Sequence, residues 1–165
     1  MLFLLRWARF VKCANYINYT WQHKKAFLRV EMQCRGFNSL RGYLHDVDKL
    51  FRYLAFLWGR EDWQIQKAHR ETSSHHAEYK RHPHTEEDYM LMVIDWECAR
   101  LTKPDKPLLA FATMLKWYPQ LEARVMPYIL KFNLFDEVAI NQAVEYQLCS
   151  RDEAKQIARR YGWCG

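Results

Sequence analysis

The chain has 165 residues, a length that suits one domain with a single core. Half of the residues are hydrophobic and 16% are aromatic, which argues against a disordered chain. The formal net charge of +6 fits an anionic partner, so a nucleotide or another phosphorylated small molecule is a candidate ligand, with nucleic acid as a second.

Cysteine usage and the apolar start of the chain bear on the cellular compartment. The five cysteines are an odd number without a Cys-x-x-Cys pair, which argues against a disulfide framework and a zinc knuckle. Residues 1–11 are apolar but carry Arg6 and Arg9, and a bilayer span needs about 20 apolar residues. We therefore expect an amphipathic first helix, no membrane segment and a cytoplasmic protein.

The spacing of apolar residues predicts an all-α chain, a single compact domain of about eight helices without a strand. The first predicted helix covers residues 2–17, and the second covers 21–34 and ends at Gly36. Asn38 or Ser39 caps the third, which runs to residue 54. Its apolar positions follow the spacing of a buried face: Leu40, Tyr43, Leu44, Val47, Leu50, Phe51 and Leu54.

The second half of the chain has clearer boundaries. A short helix is expected near 62–71, then an irregular stretch to residue 83, and a helix from Thr85 to about residue 101. Pro104 and Pro107 indicate a loop. Helices follow over 108–117, over 119–132 with Pro127 as a kink, over 135–148, and from the Ser150 capping box to about residue 162.

His45 and Asp46 are adjacent within the predicted third helix. A buried aspartate is costly unless it is paired or bound to a metal, and an imidazole beside a carboxylate suits manganese, iron, cobalt, zinc or magnesium. A core histidine bonded to a neighbouring carboxylate is the alternative. Two further residues of ligand type favour the metal: His23 on the preceding helix and Asp95 in the later apolar helix.

The order of these residues resembles the HD superfamily of metal-dependent phosphohydrolases, whose signature is a His, a His-Asp doublet and a distant Asp, all on helices. The matching positions are His23, His45, Asp46 and Asp95, and Lys49 fits the family's HD-x-x-K form. The resemblance covers roughly residues 20–130. It implies an HD-like helical metal-binding part over 1–132, with 133–165 as a C-terminal helical extension packed on the same domain.

The histidine-rich middle segment is similar to a group of small phage and bacterial HD-like proteins. In that group four motifs follow one another: a His-Lys, an HD doublet with a Lys, a His-x5-His-His and an Asp-Trp. This chain fits that order, but it has Ser73 at a position where the group is expected to have a polar amide. The resemblance implies that His69, His75 and His76 hold a second metal. A solvated polar loop is the alternative interpretation of these three residues.

The resemblance further implies a phosphomonoesterase or phosphodiesterase that cleaves a nucleotide or a nucleotide-derived ester with one or two Mn, Fe, Co, Ni, Zn or Mg ions. Lys49 and Arg70 would neutralise charge on the phosphate. Asp48 and Glu71 are candidate proton carriers, and Glu97 is a candidate carboxylate behind the ligands.

Other function classes stay open at this point. Some HD-like folds are di-iron oxygenases, and a phage-type binding or inhibitor protein could keep the fold and use its basic aromatic surface. Most aromatic residues are expected in the core, while Trp63 and Tyr79 in the polar middle are candidates for stacking a base. The location is the host cytoplasm if the protein is phage-encoded. The substrate, the metal and the oligomeric state stay open.

Overall fold

The computed structural model describes residues 2–102 and 108–165, with side chains from Arg6 onward. Within these ranges the structure is helical and has no strand, so the predicted all-α class with about eight helices is confirmed. The α-helices are α1 (Leu2–Arg35), α2 (Leu40–Leu44), α3 (Val47–Tyr53), α4 (Asp62–Thr72), α5 (Glu86–Ala99), α6 (Ala110–Trp117), α7 (Glu122–Lys131), α8 (Glu137–Glu145) and α9 (Arg151–Arg160). The predicted loop at Pro104 and Pro107 lies outside the described residues.

The first two predicted helices are one continuous helix, α1, of 34 residues. The prediction of a break at residues 18–20 was wrong. That stretch contains neither glycine nor proline, and the side chain of Thr20 is buried, so the helix continues through it. Side chains 6–12 are all exposed, and Cys13 is the first buried one. The predicted helix is therefore present here, and its side chains from residue 6 to residue 12 face solvent.

The predicted third helix is divided in two at the His-Asp doublet. Ser39 caps α2 as expected, since its hydroxyl accepts from the Gly42 amide at 2.9 Å, but α2 ends after five residues. Asp46 then adopts a left-handed backbone with φ of 58°, and α3 begins at the next residue. The prediction of one continuous buried face was wrong for the same reason. The most exposed residues of that predicted face are Leu40, Leu44 and Phe51.

One main hydrophobic core joins α1 and α5 to the C-terminal helices. Phe27 of α1 and Ile94 of α5 share it with Ile129 of α7, Ile140 of α8 and Ala158 of α9. Residues 133–165 therefore pack on the same core as the preceding helices. The boundary that the sequence analysis drew at residue 132 stays a prediction.

Helix starts and stops follow local chemistry. Thr85 and Ser150 form the expected capping boxes of α5 and α9, and Gly162 has a φ of 90° just after α9. The segment Pro119–Leu121 is a 3-10 turn ahead of α7, and α7 continues through Pro127. No helix among the described residues is long and apolar enough to cross a membrane.

A buried carboxylate positions the His-Asp doublet. Glu31 near the end of α1 is fully buried and accepts from the Arg35 guanidinium at 3.0 Å and from the Ser39 hydroxyl at 2.6 Å. It also accepts from the Ser39 backbone amide at 3.2 Å. This anchor binds the start of α2 to α1, and Gly42 lies against it with no room for a side chain.

Candidate metal centre

The doublet lies where the chain turns between α2 and α3. His45 is the C-cap of α2, and both His45 and Asp46 are only 3% exposed. The left-handed backbone at Asp46, a conformation that aspartate tolerates better than most residues, directs both side chains inward from adjacent positions. Lys24 of α1 supports the turn by donating to the backbone carbonyl of His45 at 3.2 Å and to that of Tyr43.

The first group of converging side chains consists of Asp46, His69, His75 and His76. Oδ1 of Asp46 lies 3.0 Å from Nε2 of His69 and 3.5 Å from Nε2 of His75. Nε2 of His76 lies 2.9 Å from Nε2 of His69. The end of α4 and the loop that follows it thus bring His69 and His75 to one carboxylate oxygen, with His76 beside His69 in the same group.

The second group consists of His23, His45 and Asp95, from α1, the α2–α3 turn and α5. Oδ1 of Asp95 lies 2.8 Å from Nε2 of His23 and 3.2 Å from Nε2 of His45. Residues separated by 72 positions in the sequence therefore meet because α1 packs along α5.

Asp46 joins the two groups. Its Oδ2 lies 3.7 Å from Nε2 of His45 and 3.8 Å from Nε2 of His23, while its Oδ1 faces the first group. One carboxylate thus presents an oxygen to each set of histidines. Each of the two groups could hold a metal ion, and the Asp46 carboxylate lies between them.

The spacing of the atoms fits metal ligands, and the shortest pairs also lie at hydrogen-bond distance. Adjacent ligands about 2.1 Å from one ion lie about 3.0–3.4 Å apart, and the closest pairs here lie 2.8–3.8 Å apart. Nε2 of His45, Oδ1 of Asp46 and Nε2 of His75 are buried and make no hydrogen bond of good geometry, although each lies 3.0–3.5 Å from an atom of an ion-pair partner. Buried polar atoms are rarely left unsatisfied, so these three are candidate ligand atoms.

Two of the histidines have a partner that fixes the orientation of the ring. Asp48 Oδ2 lies 2.9 Å from Nδ1 of His69, and Thr102 Oγ1 lies 3.2 Å from Nδ1 of His23. When Nδ1 carries the proton and donates it to these oxygens, Nε2 keeps its lone pair for a metal. The ring of His45 stacks on Phe27 with 3.8 Å between ring centres, which fixes its plane.

The electrostatics favour the protonation states that bind a cation. Burial lowers the pKa of His45 to about 4 and holds the pKa of His76 well below its ordinary value. Burial alone would raise the pKa of Asp46 and Asp95, but neighbouring cations and imidazoles, among them His45, hold both pKa values well below the usual range. Neutral imidazoles and ionised carboxylates are the ligand forms.

Lys49 is the predicted charge-neutralising residue that reaches the centre. Its Nζ lies 2.7 Å from Oδ2 of Asp46, and its side chain is 13% exposed. Burial alone would lower the pKa of Lys49, but the carboxylates of Asp46 and Asp95 raise it above its usual value. The ammonium therefore remains charged beside the Asp46 carboxylate.

The other predicted side chains have different places. Arg70 lines a pocket at the edge of the centre, with Nε 3.8 Å from a Glu78 carboxylate oxygen. Glu71 instead pairs with Lys80 at 2.9 Å and belongs to neither group, so its predicted role as a proton carrier lacks support. The Glu97 carboxylate accepts from the Ala110 amide at 3.0 Å and caps α6. Its other hydrogen-bond partner is Arg100, at 2.7 Å, and the role expected for Glu97 behind the ligands stays a prediction.

Asp48 lies behind His69 and also pairs with Arg52 at 2.6 Å. This placement suits a residue that orients the ring of His69, and the proton-carrier role of Asp48 stays a prediction. Thr102 and Phe27 were missed by the sequence analysis, because a lone threonine after a helix and a phenylalanine in an apolar run carry no local signal of a site.

Two pockets reach the candidate centre. One, of about 370 Å³, is lined by Arg41, Arg52 and Arg81 with Asp46 and His75, and we call it the arginine pocket. The other, of about 600 Å³, reaches His76 and Asp95. We call it the aromatic pocket after four side chains that line it: Trp96, Trp117, Tyr118 and Tyr146.

The fold and the centre together define an all-helical protein with buried histidines and aspartates that could bind a metal ion. Comparisons with family models, with curated proteins and with solved structures find no match. The resemblance to the HD superfamily therefore stays a prediction.

Proposed function

We propose that the protein is a metal-dependent phosphohydrolase that cleaves a phosphate ester of the nucleotide type. The observation that carries this proposal is the position of Asp46, with one carboxylate oxygen toward each histidine group. Two adjacent cation sites that share a carboxylate are the arrangement that phosphate hydrolysis uses. The order of His23, the His45 doublet and Asp95 along the chain supports the same class by its resemblance to HD proteins.

Divalent cations bound by the two groups would lower the pKa of a water and neutralise phosphate oxygens. The chain itself supplies the ammonium of Lys49 at the Asp46 carboxylate, as a fixed positive charge near the reacting group. Asp48 holds the ring of His69 with Nε2 toward Asp46. In the proposed reaction the water oxygen bonds to phosphorus, the ester bond to phosphorus breaks, and the leaving oxygen takes a proton.

An anionic substrate is supported by the charge around the centre. The arginine pocket has Arg81 beside Arg41 and Arg52, which pair with carboxylates of Asp88 and Asp48. The whole chain carries a formal net charge of +6. Arginine binds phosphate oxygens through paired donors, so this side of the centre suits a phosphoryl group. A cytoplasmic location, where nucleotides are abundant, belongs to the same proposal.

The metal is tested first. Purified protein, dialysed against Mn, Fe, Co, Ni, Zn or Mg, is analysed for bound metal beside Asp46→Asn and Asp95→Asn. Asparagine tolerates the left-handed backbone at position 46, so metal loss there is not a result of backbone strain. Asp152→Asn, an exposed acid on α9, is the matched control. Equal metal content in all four proteins would overturn the proposal.

The reaction is tested next with nucleotides and simple phosphate esters as substrates for each metal-loaded form. We expect phosphate release by wild type and Asp152→Asn, and a loss of at least about 100-fold in Asp46→Asn. Bound iron with an oxygen-dependent absorption change and no phosphate release would instead identify an oxygenase. A macromolecular complex that is unaffected by Asp46→Asn, again without phosphate release, would identify a binding protein.

A further inference from the structure

The two pockets beside the candidate metal centre differ in chemistry. The arginine pocket is lined mainly by polar and charged side chains, three arginines, two aspartates, two serines and a threonine, with two leucines and two histidines. The aromatic pocket contains two tryptophans and two tyrosines, and at about 600 Å³ it is the larger of the two. A phosphate ester has a charged half and an organic half, and the pockets match these halves.

The inner wall of the aromatic pocket is rigid. The rings of Trp96 and Tyr118 are nearly parallel, at 3°, with centres 5.0 Å apart. Trp96 is only 7% exposed, so α5 and the main core hold this stacked pair in place. A rigid aromatic wall gives a flat ligand contact area at little cost in conformational entropy.

The outer part of the same pocket has two aromatic rings that face one space. The ammonium of Lys116 lies 5.3 Å from the ring centre of Trp117 and 5.5 Å from that of Tyr146. One atom can lie that close to both rings only if they border the same slot. Trp117 is 58% exposed and Tyr146 is 40% exposed, so a ligand can reach both rings from solvent.

We propose that the aromatic pocket binds the base of a nucleoside phosphate, stacked against Trp117 and Tyr146, with the phosphoryl group over the metal ligands. The inference rests on the proposed function and adds the place where the base binds and the two specificity-determining residues. The base takes the slot that the Lys116 ammonium occupies, and the flexible lysine moves toward solvent. His76 and Asp95 border the same pocket, so a base there lies next to the reacting group.

The test compares ligands with and without a base. Phosphonate analogues, in which a CH2 group replaces the ester oxygen and prevents hydrolysis, are made of the four ribonucleoside 5′-monophosphates and of ribose 5-phosphate. Their affinities for the metal-loaded protein are measured by isothermal titration calorimetry. Because base stacking on an aromatic ring is worth about 1–3 kcal/mol, we expect at least one nucleoside analogue to bind about 10-fold tighter than the ribose analogue.

Variants then locate the base. The double variant Trp117→Ala/Tyr146→Ala is expected to lose the 10-fold preference and to keep the affinity for the ribose analogue. Trp58→Ala, which removes a 77% exposed tryptophan outside the pocket, is expected to keep both affinities. A preference that survives in the double variant, or its absence in wild type, would overturn the inference.

The outcome separates this inference from the proposed function. Phosphate release without any preference for a base would leave the phosphohydrolase and remove the nucleoside pocket. A base preference that depends on Trp117 and Tyr146, without release of phosphate from any nucleotide, would support the pocket and remove the hydrolase.

Discussion

Asp48 Oδ2 lies 2.9 Å from Nδ1 of His69, and the opposite nitrogen of the same ring lies 3.0 Å from Oδ1 of Asp46. One imidazole therefore connects the carboxylate of Asp48 with that of Asp46. A carboxylate at Nδ1 favours the tautomer that carries the proton there, so Asp48 would support metal binding at Nε2 without being a ligand.

This relationship predicts that Asp48→Ala weakens metal binding by about 10- to 100-fold, because the ring of His69 loses its orientation. The substitution lies in the first turns of α3 at a half-exposed position, where alanine is a good helix former. Chelator competition gives the affinity, and circular dichroism checks the fold. Asp152→Ala is the control, and an unchanged affinity in Asp48→Ala would contradict the role given to Asp48.

Lys49→Met is predicted to separate binding from reaction. The ammonium of Lys49 competes with a cation for Oδ2 of Asp46, at 2.7 Å, so its removal is expected to maintain or increase metal affinity. The rate of phosphate release is expected to fall by about 100-fold, since a fixed positive charge near the reacting group is lost. Metal titration and steady-state kinetics on one preparation measure both effects. Wild-type kinetics in Lys49→Met would exclude the lysine from the reaction.

The absence of a side chain at Gly42 is predicted to be necessary for the anchor of α2. A Cβ at that position would lie within 3.1 Å of all three carboxyl atoms of Glu31. Gly42→Ala is therefore expected to lower the free energy of unfolding by about 1–3 kcal/mol and to reduce the metal content, because His45 is three residues away. Urea denaturation measures the first effect and elemental analysis the second.

A double-mutant cycle tests the cause of that loss. In a Glu31→Ala background the carboxylate is absent, so Gly42→Ala is expected to cost far less than in wild type. Equal costs in the two backgrounds would show that the Cβ meets a different obstacle.

Asp88 is predicted to contribute to stability only above acidic pH. Burial alone would raise its pKa, but hydrogen bonds from Ser74, Thr85 and Arg41 hold the pKa of this carboxyl below its ordinary value. A group with a lowered pKa in the folded state stabilises above its unfolded pKa, near 3.9, and loses that contribution as pH falls below it. Asp88→Asn is therefore expected to be about 2 kcal/mol less stable at pH 7.

Urea denaturation of both proteins from pH 7 to pH 3 measures the difference. The metal ligands titrate in both proteins, so subtraction isolates Asp88. We expect the two stabilities to converge below about pH 4. A difference that stays constant down to pH 3 would mean that the charge of Asp88 plays no part.

The sequence by itself determined the helical class and most helix boundaries. Apolar periodicity and the capping residues Ser39, Thr85 and Ser150 act locally, over three or four residues, so they can be identified without any tertiary contact. The order of His23, His45, Asp46 and Asp95, with the histidines of the middle segment, predicted which side chains would converge.

Tertiary structure decided what these side chains can do together. The division of the third helix at Asp46 has no local glycine or proline signal, and it arises where the buried Glu31 carboxylate binds the start of α2 to α1. The two-sided placement of the Asp46 carboxylate follows from that turn and from the packing of α1 on α5. Distances between atoms on separate helices depend on how the helices pack, so they cannot be predicted from the apolar periodicity within one helix.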